Sequence, residues 1–115
     1  MRIMGFSKKW EKLSNPTFTT IRFVRKDKDW QVGELVQVVL SPRSKERDIL
    51  GVAKIVNKES RDLFNVGLAD YEIRADGFFN KEEMGEWLDK TYGKRWVEES
   101  MNLMRLKWVE IWVEQ

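Results

Sequence analysis

Short runs dominated by β-branched and aromatic residues, separated by polar interruptions, predict a chain built mainly of strands. Thr17 to Arg25 is the first strong run. Its alternation puts Phe18, Thr20, Arg22 and Val24 on one face and Thr17, Thr19, Ile21, Phe23 and Arg25 on the other, so neither face is cleanly apolar. Leu35–Leu40 is apolar on both faces apart from Gln37, which predicts a central strand. Ser41–Asp48 is a polar excursion that reads as a hairpin loop, because Ile49–Val56 resumes strand character at once. Gly51 inside that second run predicts a bulge or a close backbone approach. Arg2–Phe6 is a short opening strand. Met101–Val113 is a long final one whose pattern changes phase: Met104, Leu106 and Trp108 share one face, and Val109, Ile111 and Val113 share the other. Such a change predicts a bulge or a strong bend.

Helical signals are fewer. Asn80 with Glu83 three residues on is a form of capping box, and Met84, Trp87, Leu88 and Thr91 follow at helical spacing until Tyr92-Gly93, which predicts a helix from about Lys81 to Thr91. Gly67 to Ala75 predicts a short helix stopped by Asp76-Gly77. Ser7–Leu13 reads as a helical turn or an extended loop, and Lys94–Ser100 as a linker or a further turn. Asn15-Pro16 and Gly33 mark turns, and Arg25–Asp29, alternating in sign, reads as a solvated loop. The elements make one α+β domain on a mostly antiparallel, curled sheet of about five strands.

Composition narrows the chemistry. At 115 residues, with 42% hydrophobic and 35% charged positions, the chain supports a single core. It has no cysteine and no histidine, which excludes disulfides, thiolate and His-based metal sites, and nucleophiles activated by histidine. Catalysis would rest on Lys, Asp, Glu, Tyr or Thr. No cofactor or metal is expected. No run approaches the length of a signal peptide core or a membrane span, so the expected location is the cytoplasm and no membrane partner is expected.

The net charge of +2 hides a split: residues 1–61 carry 14 Lys and Arg against 7 Asp and Glu (+7), and residues 62–115 carry 7 against 12 (−5). Either the basic half meets an anionic partner or the halves pair with each other in the fold. Arg25 and Lys26 in one loop and Arg43, Lys45 and Arg47 in another are the candidates for contacting a nucleic-acid backbone, the alternative being loops kept polar for solubility. Of six tryptophans, Trp87, Trp108 and Trp112 fit the core by pattern, together with Met84 and Met104. Trp10 and Trp30 lie in polar, basic surroundings and are candidate stacking platforms.

Thr20-Ile21-Arg22 after a short N-terminal segment, Val32-Gly33-Glu34 leading into the hydrophobic strand, and Ala75-Asp76-Gly77-Phe78 before the Trp87 helix together resemble an ASCH domain of the PUA-like superfamily, over nearly the whole chain. The resemblance implies a small β-barrel of five or six strands with flanking helices. It also implies a cleft beside the motif strand that in relatives handles RNA or nucleobases. The family pattern Gly-x-Lys-x-x-Glu-x-Arg, with Thr replacing Glu in some members, places its Arg on Arg22 and its Glu or Thr on Thr20. Its Gly falls on Asn15 and its Lys on Thr17, so half the pattern is missing. Some relatives hydrolyse N-acetylated cytidine with a Thr, a neighbouring Lys and a downstream Glu, and others are associated with ribonuclease activity. Here Thr20 and Asp76 correspond to the first and last of these.

The missing lysine matters because a threonine hydroxyl needs a base to take its proton; Lys9, Lys12 or Lys54 could fold into its place. The ligand-binding set implied by the resemblance is Thr17, Thr20, Arg22 and Asp76. Arg22 reads either as a forked donor to a phosphate or carbonyl, or as the ion-pair partner of an acid such as Asp76. The leading expectation is a domain that binds RNA or a modified nucleoside with little or no catalysis. Rivals are an amidohydrolase of acylated nucleosides or a ribonuclease with an altered catalytic set, and a protein-interaction module using the acidic face Glu82, Glu83, Glu86 and Asp89.

Overall fold

The computed structural model describes residues 1–41, 45 and 47–112. Five strands, β1 (Arg2–Phe6), β2 (Thr17–Phe23), β3 (Leu35–Leu40), β4 (Asp48–Arg61) and β5 (Met101–Ile111), form one sheet in the order β1-β3-β4-β5-β2. The sheet curls strongly into a half-barrel. Three helices, α1 (Asp70–Ala75), α2 (Lys81–Tyr92) and α3 (Arg95–Glu98), lie between β4 and β5 in sequence, and a 3-10 turn (Glu11–Ser14) precedes β2. The fold is therefore α+β, as the pattern predicts. Among the described residues no helix is long and apolar enough to cross a membrane.

Three of the four strand pairings are antiparallel, and the fourth, β1 with β3, is parallel. The strand β1 shares the β3 edge rather than pairing with its chain neighbour β2, so the first two strands become the two free edges of the half-barrel. Strand β3 is central, as expected for a run apolar on both faces, and Val36, Val38 and Val39 are fully buried.

Curvature comes from extra residues. Between β4 and β5 the register skips Val109 on one strand and Val56 on the other; between β3 and β4 it skips Leu50. The skip at Val109 sits where the hydrophobic pattern of the last strand changes phase. Beyond it, Val109, Ile111 and Trp112 are exposed, so the expected second apolar face of that strand, and Trp112 as a core residue, are not found. Val113 lies outside the described residues. Gly51 answers the expectation of close approach: a Cβ there would lie 2.0 Å from the Glu110 carbonyl oxygen.

Two loop readings also change. Strand β4 continues five residues past Val56, through Asn57–Arg61, pairing with the first half of β5. The segment Arg25–Asp29 is tied down at its end, where the Asp29 carboxylate accepts from Lys58 Nζ at 3.1 Å and from Asn102 Nδ2 at 2.9 Å. Helix α2 begins as the capping signal predicts, with Asn80 Oδ1 accepting from the Glu83 N–H at 2.9 Å. Its buried Met84 and Leu88, with Ile73 of α1 and Trp96 of α3, join the strands in one core.

Candidate functional site

A cavity of about 610 Å³ opens where the two free edges face each other, lined from β1 by Gly5 and Phe6, from β2 by Thr20, Ile21 and Arg22, and from the helical side by Phe78, Trp87 and Tyr92. That size falls within the range of about 300–1,000 Å³ usual for small-molecule sites. Arg22 spans the gap. Its Nη2 donates to the Gly5 carbonyl at 2.6 Å and its Nε to Thr20 Oγ1 at 3.1 Å, while the guanidinium carbon stands 4.7 Å from the Phe6 ring centroid. Among the described residues Nη1 has no protein acceptor, so part of the fork is free to serve a ligand. Burial lowers the affinity of Arg22 for its proton, yet a guanidinium stays charged at any physiological pH.

A buried ion pair forms the polar end of the cavity. Lys12 Nζ lies 3.3 Å from Asp76 Oδ1, which also accepts from Thr19 Oγ1 at 2.8 Å. Each partner is held by the backbone segment that carries it. The 3-10 turn holding Lys12 is clamped by Trp108, whose indole Nε1 donates to the Leu13 carbonyl at 3.0 Å and whose N–H donates to the Pro16 carbonyl at 3.1 Å. Asp76 ends α1. The next residue, Gly77, has φ of +106°, and the Phe78 N–H donates back to the Ile73 carbonyl at 3.1 Å, turning the chain under the helix. A Cβ on Gly77 would lie 2.9 Å from the Trp10 ring, so this glycine answers both the turn and the packing.

Burial pushes the Asp76 carboxyl above the usual carboxylate range and the Lys12 amine below the usual lysine range; the mutual attraction of the pair opposes both shifts without cancelling them. Burial also raises the Tyr92 phenol. The remaining wall is aromatic, with ring centroids 5.4 Å apart for Trp10 and Phe78, 5.8 Å for Trp10 and Trp87, and 5.7 Å for Trp87 and Tyr92, all edge-to-face. Such a site can hold a flat, partly polar group: aromatic surface for its faces, the Arg22 fork for an acceptor, and the Asp76 carboxylate or Thr20 hydroxyl for a donor.

The candidate residues fall into two groups. Thr20, Arg22 and Asp76 meet at the cavity; Trp10 lines it but is buried in the core, not an open platform. Thr17 is half-buried at the start of β2, opposite Lys107, and is not part of the lining. Arg22 makes no ion pair with Asp76 among the described residues; that partner is Lys12. Of the three lysines considered for the missing amine, Lys12 lines the cavity, whereas Lys9 and Lys54 are exposed and do not. Trp30 is buried at 5% exposure, with the Arg2 guanidinium 4.2 Å from its ring centroid, and is a core residue rather than an open platform. Arg25, Lys26, Lys45 and Arg47 are exposed and not part of the cavity lining; Arg43 lies outside the described residues. Among the described residues the charge halves meet in two ion pairs, Lys12 with Asp76 and Arg61 with Glu72.

Phe6, Phe78, Trp87 and Tyr92 of the wall, and Thr19 bonded to Asp76, are members the sequence reading missed. Trp87 carried the one available signal, an aromatic at the margin of the helix's apolar stripe, where half-burial lets a ring face a cavity. Fold and site together define a curled β half-barrel with a lateral aromatic cavity closed at one end by a buried lysine–aspartate pair. No model of a protein family, no curated protein and no solved structure matches the chain.

Proposed function

We propose that this protein is a PUA-like domain of the ASCH type that binds a nucleobase, as a modified nucleoside or within RNA, in the cavity beside Thr20 and Arg22. The observation that carries this reading is the convergence of an incompletely used guanidinium fork, a threonine hydroxyl and a buried carboxylate on one aromatic-walled space. A planar heterocycle with donors and acceptors on its edge matches that set, because its faces take aromatic contact and its edge takes the fixed polar groups.

Tryptophan fluorescence tests it directly, since Trp10 and Trp87 form the wall. Titration with a panel of nucleosides, including acylated ones, and with single-stranded RNA is expected to quench emission. In Arg22→Lys, which keeps the charge and loses the fork, affinity is expected to fall by about 10–100-fold, the value of a hydrogen bond to a charged group. No quenching by any of these ligands would overturn the proposal.

A second reading, hydrolysis of an acylated nucleoside, draws on Lys12 beside Asp76. The hydroxyl bonded to that pair is Thr19 rather than Thr20, whose oxygen accepts from Arg22. Deprotonation of Thr20 by Lys12 would therefore need a rearrangement on binding. Turnover abolished by Thr20→Ala and by Lys12→Met would support hydrolysis, and no turnover across acylated nucleosides would remove it.

A further inference from the structure

Outside the cavity, a broad groove of about 840 Å³ runs between the segment leading into the 3-10 turn and the α1–α2 connection. It adjoins the cavity: Trp10, Lys12 and Phe78 line both. Its lining carries Lys8, Lys9 and Arg74, against Glu11 and Glu83. None of these three cations makes an ion pair among the described residues. Lys8 Nζ stands 3.7 Å from the ring centroid of Trp10, a residue the groove shares with the cavity, while Lys8 itself lines the groove alone. On the same lining Phe79 is 80% exposed, next in sequence to the cavity residue Phe78.

A large, solvated aromatic beside cations that make no ion pair among the described residues, next to an aromatic cavity, matches the requirements of a single nucleic-acid strand. Phosphates want mobile cations along the track, and a neighbouring unpaired base wants a ring to stack on. We infer that the groove is a backbone track: the base held in the cavity belongs to a single strand, whose adjoining phosphates lie on Lys8, Lys9 and Arg74 and whose next base stacks on Phe79. This rests on the cavity being a nucleobase site. It moves the phosphate contacts away from the two loops the sequence pointed to, one carrying Arg25 and Lys26 and the other carrying Lys45 and Arg47. A duplex does not fit the scheme, because a base in the cavity must be unpaired.

The test compares a nucleoside that quenches the tryptophans with a short single-stranded RNA containing it, read by anisotropy of a labelled oligonucleotide. The oligonucleotide is expected to bind at least about tenfold more tightly at low salt. The triple variant Lys8→Ala/Lys9→Ala/Arg74→Ala should abolish that advantage, leave nucleoside affinity unchanged, and make the slope of log affinity against log salt shallower by about 2, near 0.7 per phosphate contact on a single strand. Phe79→Ala should weaken the oligonucleotide alone, by about 5–100-fold, the value of one stacked base. All four are surface substitutions, and a melting curve confirms the fold. Nucleoside binding with no gain from the strand, equal or tighter binding of a duplex, or a gain lost in Lys45→Ala/Arg47→Ala and kept in the triple variant would each overturn the track while leaving the cavity reading intact. Failure of nucleoside and strand alike would remove both.

Discussion

Lys12 and Asp76 show how much a single buried pair controls. Each is under a tenth exposed, and each loses hydration that the other repays only in part, which is why both are displaced toward their neutral forms. Removing one charge leaves the other buried without compensation. Lys12→Met is accordingly expected to destabilise the fold by about 3–5 kcal/mol in urea unfolding, whereas Lys12→Met/Asp76→Asn, which still offers Thr19 an acceptor, should recover most of that loss. Recovery smaller than a third would mean that the lysine acts through packing rather than charge. At this scale, the sequence reading reached Thr20, Arg22 and Asp76 through the pattern of the motif strand and the family resemblance, and named Lys12 among three alternatives. It could not choose among Lys9, Lys12 and Lys54. What separates them is the Trp108 clamp on the 3-10 turn, a contact spanning 95 residues of sequence.

At the scale of elements, backbone proximity decides what glycine means. Gly51 sits against the β5 backbone, with the virtual Cβ 2.0 Å from the Glu110 oxygen, and Gly85 in the middle of α2 has nothing within 4 Å. The two substitutions should therefore have opposite signs. Gly51→Ala is expected to destabilise by about 1–3 kcal/mol through forced separation of β4 and β5, and Gly85→Ala to stabilise by about 0.5–1 kcal/mol through helix propensity and a less flexible unfolded chain. Paired denaturant curves check both, and equal signs would contradict the geometry. The close approach at Gly51, the Asn80 cap and the phase change in the last strand were all legible, because local pattern determines them. The extension of β4 through Asn57–Arg61 was not. Those residues are mostly exposed, so no hydrophobic alternation marks them, and only pairing with Met101–Arg105 makes them a strand.

For the whole molecule, ion pairs bridge distant parts of the chain and set its response to acid. The Arg2 guanidinium holds the Glu34 carboxyl below its usual range, and Arg61 does the same to Glu72. An unfolded chain takes up protons at the ordinary carboxylate value, near 4.5. The stabilisation is therefore complete above that value and is lost as pH falls through the lower folded values. Asp76 runs the other way: its raised value favours the folded state below the ordinary aspartate range and loses that advantage as pH rises through the folded value. The expected outcome is that wild type exceeds Glu72→Gln in stability at pH 7, and that the difference shrinks toward zero at pH 3. A constant difference would mean that Glu72 acts without its charge.

The sequence by itself determined the class of fold, the central strand, the capped helix and the polar strand at the site, since periodicity, capping and turn chemistry act over a few residues. Only the tertiary structure decided which strands became edges. Parallel pairing of β1 with β3 leaves β1 and β2 facing each other across a gap bridged by Arg22, and that gap, absent from any local pattern, is where the cavity forms.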